Sequence, residues 1–387
     1  MNRTKSTSTV RTKWRTIVNA NSGVSHHTGA LRAGSAVRLA VAAVLGMAAL
    51  AGASAALADD AAPSVSVGAG MRTSFASSKP DGGNSTNDFD LNSIRLYVSG
   101  TVTNDIKFTF NTEYTGDVSG DNKVQVMDAI ARFEFSDEFN IWAGRFLPPS
   151  DRANLHGPYY ANEWSTYIDG VQDGYASVAV GRDDGIAYWG QFFNDMLSAS
   201  AGLFSIPSSF GSGHVVEAER LQIDLWDPEK GYYVNGTYYG GKDVLALGVA
   251  AQQLRSKSAY TVDFLMEKKL GDLGMVSVQG EYAKYEFGGY TGNKSDGAFG
   301  LVSYLFPQVI GIGKFEVLAK YAKTTYDVSD ETYFSIGQKT KIFEVGYIIK
   351  DFNARVSLFY HDVTYGTVAA GDESRDKVYG LGLQLQM

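Results

Sequence analysis

Beyond Asp59 this chain holds no hydrophobic run long enough for a membrane helix, yet its apolar residues fall on alternate positions. The C-terminus shows the pattern plainly: Tyr379, Leu381, Leu383, Leu385 and Met387 alternate with Gly380, Gly382, Gln384 and Gln386. Period two means a strand with one apolar and one polar face. The same phase sets Ile106, Phe108 and Phe110 against Lys107, Thr109 and Asn111, and Tyr260, Val262, Phe264 and Met266 against Thr261, Asp263 and Glu267. It returns at Ala354, Val356, Leu358 and Tyr360 against Arg355, Ser357 and His361.

Read this way, the chain contains sixteen strands, at 64–77, 90–103, 106–115, 124–136, 139–147, 183–193, 196–206, 217–226, 242–253, 259–269, 275–287, 297–307, 313–327, 339–351, 353–366 and 377–387. Tight turns at Asn104-Asp105, Asp137-Glu138, Asn194-Asp195 and Asp351-Phe352 alternate with longer polar connections at 78–89, 116–123, 207–216, 328–338 and 367–376. An even strand number with short turns at one end and long loops at the other is the pattern of a transmembrane β-barrel. Proline is consistent with it, because a residue that cannot donate to a ladder belongs at strand ends or in loops. Pro63, Pro80, Pro148, Pro149, Pro158, Pro207, Pro228 and Pro307 all lie there in this reading. A soluble sandwich or propeller also gives short amphipathic strands, but it turns a polar face to water. Here sixteen apolar rows need a non-aqueous partner at once, and only helices and closed barrels can turn such rows to lipid.

The first 58 residues are of another kind. They carry seven Lys/Arg (Arg3, Lys5, Arg11, Lys13, Arg15, Arg32, Arg38) and no acid, then an Ala-rich apolar run from Leu39 that ends in Ala56-Leu57-Ala58. A basic n-region, an apolar h-region and an A-x-A triplet make residues 1–58 a cleaved signal peptide, with the barrel domain at 59–387. The alternative is a single membrane-spanning helix, which about 18 apolar residues suffice to form. Without the leader, 27 basic residues face 42 acidic ones, a net charge of −15 that argues against nucleic-acid binding. The chain has no cysteine, which excludes disulfides and thiolate metal sites.

One stretch departs from the alternation. "FNIWAGRFLPPSDR", Phe139 to Arg152, opens as the fifth strand, meets two consecutive prolines, and is followed by no periodic element until about residue 183. Residues 148–182 are therefore the third long loop, and the longest. Barrels of sixteen to eighteen strands are too wide for side chains to fill and leave an aqueous channel. An inward loop is one way to make such a channel selective, and Pro148-Pro149 would end the ladder and set its exit direction.

Candidate site residues follow from that geometry. Arg145 and Arg152 flank the root of the loop, and Asp151, His156, Tyr159, Glu163 and Asp169 are candidates to face an aperture, with Tyr159 or its neighbour Tyr160 alternatively packing the loop to the wall. A ring of charge at a constriction sets ion preference. The polar faces of the strands supply Arg72, Arg95, Lys107, Arg132, Lys320 and Arg355 against Glu113, Asp128, Asp263, Glu281 and Glu316. Any of these charges could instead pair across the wall. Trp142, Trp189, Trp226, Tyr238 and Tyr239 fit aromatic girdles at the lipid interfaces. Gly236 to Asp243 approaches a phosphate-binding loop but has Asp where Ser or Thr should reach magnesium, and no βαβ unit surrounds it. His156, His214 and His361 lack metal-site spacing, and Ser212 near His214 is the nearest approach to a nucleophile and base. No cofactor, metal or catalytic residue is expected.

The motifs "IWAGRFLPPSDR", "GRDDGIAYWG" (181–190), "YTVDFLMEKKLGDLG" (260–274), "NARVSLFYHDV" and "ESRDKVYGLGLQLQM" occur in an order that resembles the phosphate-selective porin O and P family of Gram-negative outer membranes. The resemblance implies a homotrimer of sixteen-stranded barrels whose third loop folds into the lumen. It also implies contact with outer-membrane lipid and lipopolysaccharide, and passage of small hydrophilic solutes or ions. The charges on the polar faces are mixed rather than a basic ladder, so phosphate selectivity does not carry over, and Met387 stands where porins usually end in Phe. The expected function is passive diffusion through a water-filled channel, with a barrel hydrolase or a plugged structural or adhesin barrel as the rivals.

Overall fold

The structure, a computed structural model, describes residues 62–115, 123–166, 168–171, 181–205, 214–287, 294–328, 334–367 and 373–387. The proposed signal peptide and Ser212 lie outside these residues, as do residue 167 and residues 172–180 of the third loop.

Sixteen strands form one closed antiparallel barrel in which each strand pairs with its sequence neighbours and the first pairs with the last. They are β1 (Ser64–Lys79), β2 (Thr86–Thr101), β3 (Ile106–Thr115), β4 (Lys123–Glu134), β5 (Asn140–Phe146), β6 (Asp183–Phe192), β7 (Leu197–Ser205) and β8 (Val215–Asp224). The circuit continues with β9 (Val244–Leu254), β10 (Lys257–Lys269), β11 (Met275–Tyr285), β12 (Ser295–Ile310), β13 (Gly313–Val328), β14 (Phe334–Lys350), β15 (Ala354–Thr367) and β16 (Glu373–Gln386). Closure leaves no sheet edge, so the backbone groups of every strand find partners on both sides.

The alternation reads out as two faces. On β16 Leu381 is 51% exposed and Leu385 43%, while Gln384 between them is fully buried. On β15 Leu358 is 57% exposed and Arg355 is fully buried. The exposed rows are apolar, and the buried rows carry most of the polar and charged side chains.

Three differences from the sequence reading have a physical origin. The strands β2, β14 and β16 begin four to five residues earlier than the apolar rows suggest, because the ladder is a backbone structure and continues through polar residues such as Gln338 and Arg375. Pro307 lies inside β12 rather than at its end, but the register to β13 breaks between Leu305 and Val309, so no ladder bond is asked of it. The buried rows are also not wholly polar: Phe299, Leu301, Leu318, Ile342, Leu254 and Tyr285 cluster there with Ala153 and Val171 of the third loop.

Candidate functional site

The chain leaves β5 through Leu147, Pro148 and Pro149 and immediately meets the buried rows of strands far round the barrel. Gln252 donates to the Pro149 carbonyl (3.3 Å) and Arg220 to that of Ser150 (2.9 Å). The Asp151 carboxylate then caps a single helical turn, α1 (Arg152–His156), by accepting from the Asn154 amide at 2.7 Å, and takes a further bond from the Tyr285 hydroxyl at 3.2 Å. Every residue of that turn is buried.

Beyond α1 the segment continues against β12 to β16, β1 and β2. Arg355 donates to the carbonyls of Ala161 (2.8 Å) and Asn162 (2.9 Å), Gln384 to that of Tyr159 (2.9 Å), and Arg72 to that of Trp164 (2.5 Å). The Lys320 ammonium lies 2.6 Å from Glu163 and 2.7 Å from Asp169, with all three side chains buried. Burial pushes the Glu163 carboxyl up, and Lys320 more than offsets it, holding it below the usual carboxylate range. Trp164 stacks on Phe359, donates its amide to Glu344 at 2.9 Å, and carries the Arg72 guanidinium 4.1 Å from its ring centre. The Tyr159 hydroxyl bonds Ser93 at 3.0 Å beneath Arg95.

Two glycines make room for these rings. A Cβ at Gly70 would stand 2.8 Å from Tyr159, and one at Gly382 would stand 2.4 Å from Trp164. Neither position admits a side chain while the segment lies where it does.

A second segment meets the first. The β8–β9 connection, 225–243, belongs to the end where the other connections are short, and it buries Glu229, Val234, Thr237 and Tyr239. Arg152 forks onto the Glu229 carboxylate (2.9 and 2.5 Å) and donates to the Asn235 carbonyl (2.8 Å). Gly236 donates to the Tyr160 carbonyl (2.9 Å), and Tyr232 to that of Leu147 (2.7 Å). The glycine-rich stretch that resembles a phosphate loop holds an internal anion instead: the amides of Tyr238 and Gly240 and the Thr237 hydroxyl all donate to Glu267, at 2.8, 2.7 and 2.8 Å. Nothing in the sequence reading anticipated this contact, although 19 residues at the short-turn end was a usable signal.

Each expected site residue now has a position. Arg145 sits on the exposed row, in phase with Ile141 and Ala143, and forks onto its register partner Asp184 at 2.6 and 3.0 Å. It is therefore removed from the buried-row cluster that Arg152, Asp151, His156, Tyr159, Glu163 and Asp169 form. Those six are between 0 and 4% exposed, so they anchor the segment and do not present charge to water. Tyr160, at 39% exposure, is the most solvent-exposed of the described loop residues. Lys320 and Arg355 occupy the expected row but are spent on the segment, and Arg95 is bound by Glu113 at 2.7 Å. Trp142 is buried among Phe146, Tyr232 and Trp189, and Tyr239 is buried beneath Arg355, so these aromatics pack against the two segments and do not form a girdle.

Between the contacts of Tyr159 with Ser93 on β2 and of Arg182 with Asp128 on β4, the described residues of the loop leave part of the wall of β2, β3 and β4 uncovered. There Tyr97, Ser99, Lys107, Thr109, Asn111 and Arg132 are register neighbours that all keep partial exposure. Lys107 and Arg132 share one carboxylate, Glu134, at 2.9 and 2.7 Å. Asn111 donates to Asp128 at 2.8 Å, but that carboxylate is paired with Arg182 at 3.2 Å, so the patch keeps one cation in excess.

A sixteen-stranded barrel whose polar face is partly covered by a long loop has the architecture of a porin. The chain matches the family model described as phosphate-selective porin O and P over residues 65–267, just over half its length, and it belongs to that family of outer-membrane channels. Solved structures of similar fold include an anion-selective porin from Comamonas acidovorans, 14% identical with TM-score 0.52 over 84% of this chain and 100% of that one. Salmonella typhi OmpF in complex with daunomycin is 12% identical with TM-score 0.53 over 84% and 100%. The outer membrane channel DcaP of Acinetobacter baumannii is 13% identical with TM-score 0.50 over 86% and 100%. No curated protein matches the chain by sequence.

Proposed function

We propose that this porin is a constricted diffusion channel for small hydrophilic solutes, anions in preference to cations, in the outer membrane of a Gram-negative cell. In this reading the exposed apolar rows face lipid and the buried rows face the lumen. The described part of the third loop, 148–166 and 168–171, crosses the lumen as the constriction, and the water path runs along β2, β3 and β4 past Tyr160. The observation that carries it is the partly exposed run around Lys107 and Arg132, which the described residues of the loop leave open. Two cations against one carboxylate near low-dielectric walls attract anions more strongly than they would in bulk water. The mixed charges elsewhere on the buried rows give no basis for phosphate over other anions.

Planar-bilayer recording under asymmetric salt tests the reading. Lys107→Glu and Arg132→Glu should each move the reversal potential toward cations, and removing residues 153–171 should raise conductance and flatten selectivity while the barrel stays folded. Unchanged amplitude and selectivity in all three variants would remove the channel path from this wall. The meeting of two segments supports a second reading, a barrel plugged at rest, for which the wild type would show no conductance until the Arg152–Glu229 contact is broken.

The same reading makes the protein a homotrimer embedded in lipid and lipopolysaccharide, exported through a signal peptide and without enzymatic activity. Mass spectrometry of the outer-membrane protein should find its first residue at or near Asp59; recovery of residues 39–58 would contradict it.

A further inference from the structure

Four side chains meet on the polar face where β3, β4 and β5 reach the short-turn end. Lys107 and Arg132 are register partners, as are Arg132 and Trp142, and Glu134 follows Arg132 by two residues on the same strand face. The Glu134 carboxylate accepts from all three. Lys107 Nζ reaches Oε2 at 2.9 Å, while Arg132 Nε (2.8 Å) and Trp142 Nε1 (3.0 Å) both reach Oε1. Among the described residues no other carboxylate pairs with Lys107 or Arg132. The carboxylate is the inner member of the group: its side chain is 12% exposed, against 34% for Lys107 and 26% for Arg132.

Two of the donors are held in place by other neighbours. Thr109 takes Arg132 Nη1 at 3.2 Å, and the guanidinium lies 5.0 Å from the centre of the Trp142 ring. Phe146, Trp189 and Tyr232 pack the indole at centroid distances of 5.9, 5.8 and 4.8 Å, so its N–H keeps its direction. An ammonium, a guanidinium edge and an indole N–H that converge on the two oxygens of one planar group make a receptor for a carboxylate, and Glu134 is the carboxylate that fills it. Left empty, such charge-assisted donors would detain a passing anion, whereas conduction needs binding weak enough to release. A carboxylate tethered beside the donors competes as an intramolecular ligand, so a free solute binds only by displacing it.

We propose that Lys107, Arg132 and Trp142 form a receptor for solutes bearing a carboxylate, and that Glu134 keeps it weak by occupying it between passages. The inference rests on the channel reading above. The test records the full barrel in planar bilayers in potassium chloride, with potassium acetate added at constant ionic strength and with acetamide and inorganic phosphate as comparisons. Glu134→Ala, which empties the receptor, should be blocked by acetate at a concentration at least about tenfold lower than wild type. Glu134→Gln keeps the bulk of the side chain without its charge and should fall between the two. Acetamide should block none of them, and phosphate should block Glu134→Ala less than acetate does. Equal acetate dependence in the wild type and both variants, a block by acetamide, or a phosphate block as strong as that of acetate would each overturn the proposal. Lys107→Glu and Arg132→Glu separate the two readings. If neither moves the reversal potential, the channel path does not follow this wall; if they move it and Glu134→Ala gains no acetate block, the receptor alone is wrong.

Discussion

The guanidinium of Arg152 and the carboxylate of Glu229 face each other as a fork, 2.9 and 2.5 Å apart, with both side chains fully buried. One belongs to the connection after β5 and the other to the connection after β8, so the pair joins connections that start from opposite ends of the barrel. Among the described residues the segments also meet through bonds to the main-chain carbonyls of Asn235, Tyr160 and Leu147 and through the apolar cluster of Leu147 and Leu155 with Tyr232 and Val234.

Removing one partner leaves the other buried without its counter-charge, which costs about 3–5 kcal/mol. Arg152→Met should therefore loosen the two segments, seen as higher or noisier single-channel conductance, with strand pairing intact by heat-modifiability. Adding Glu229→Leu should recover most of the loss, because the orphaned charge is gone. Arg152→Glu should act through the same loosening, since its side chain reaches no water. Wild-type conductance in Arg152→Met would show that the pair does not hold the segments together.

Two buried groups of α1 should respond to pH in opposite senses. Burial pushes the His156 imidazole from 6.5 down to about 4, so below pH 6.5 the undocked loop takes a proton that the docked loop resists, and docking weakens. Burial pushes the Asp151 carboxyl from 3.8 up to about 6, so as pH falls through 6 the docked loop takes the proton first, and docking strengthens. Between pH 6 and 4 the two oppose, each by about 1.4 kcal/mol per unit at most. On lowering the pH from 7 to 5, docking should strengthen in His156→Gln, which keeps only the Asp151 response, and weaken in Asp151→Asn, which keeps only that of His156. Limited proteolysis across that range reads the difference, and parallel pH slopes in the two variants would refute the assignment.

Leu383 lies on the exposed row of the last strand, opposite Val356 and Thr73. Leu383→Arg should cost about 2–4 kcal/mol if that row meets the bilayer midplane. Reduced yield of folded, heat-modifiable barrel is the expected result. Yields equal to wild type would place the row away from hydrocarbon.

The strands were legible because their signal is local. A side chain on a strand takes one of two faces, so alternation at Leu381 and Leu385 against Gly382 and Gln384 fixed the faces without knowledge of any neighbour. Sixteen strands and their closure into a barrel followed from that period and from where it stopped, and the family from the order of motifs such as "IWAGRFLPPSDR" and "GRDDGIAYWG". The unpatterned stretch after "GRFLPP" was equally visible as a long connection. Where the pattern ran out, so did the reading: Gly144, which has positive φ at +126°, gave no warning that Arg145 lies on the exposed row.

What rests on the polar face was decided elsewhere in the chain. Arg355 and Lys107 look alike in sequence, each a cation between apolar neighbours, yet one is covered by the carbonyls of Ala161 and Asn162 and the other keeps contact with water. The difference depends on the path of residues 148–171 and on their meeting with 225–243, both set by contacts between positions dozens to hundreds apart, such as Arg152 with Glu229 and Gln384 with Tyr159. A strand's period determines which way a side chain points; only the closed barrel brings together the segments that determine what it meets, because burial and charge pairing are properties of three-dimensional neighbours and not of sequence spacing.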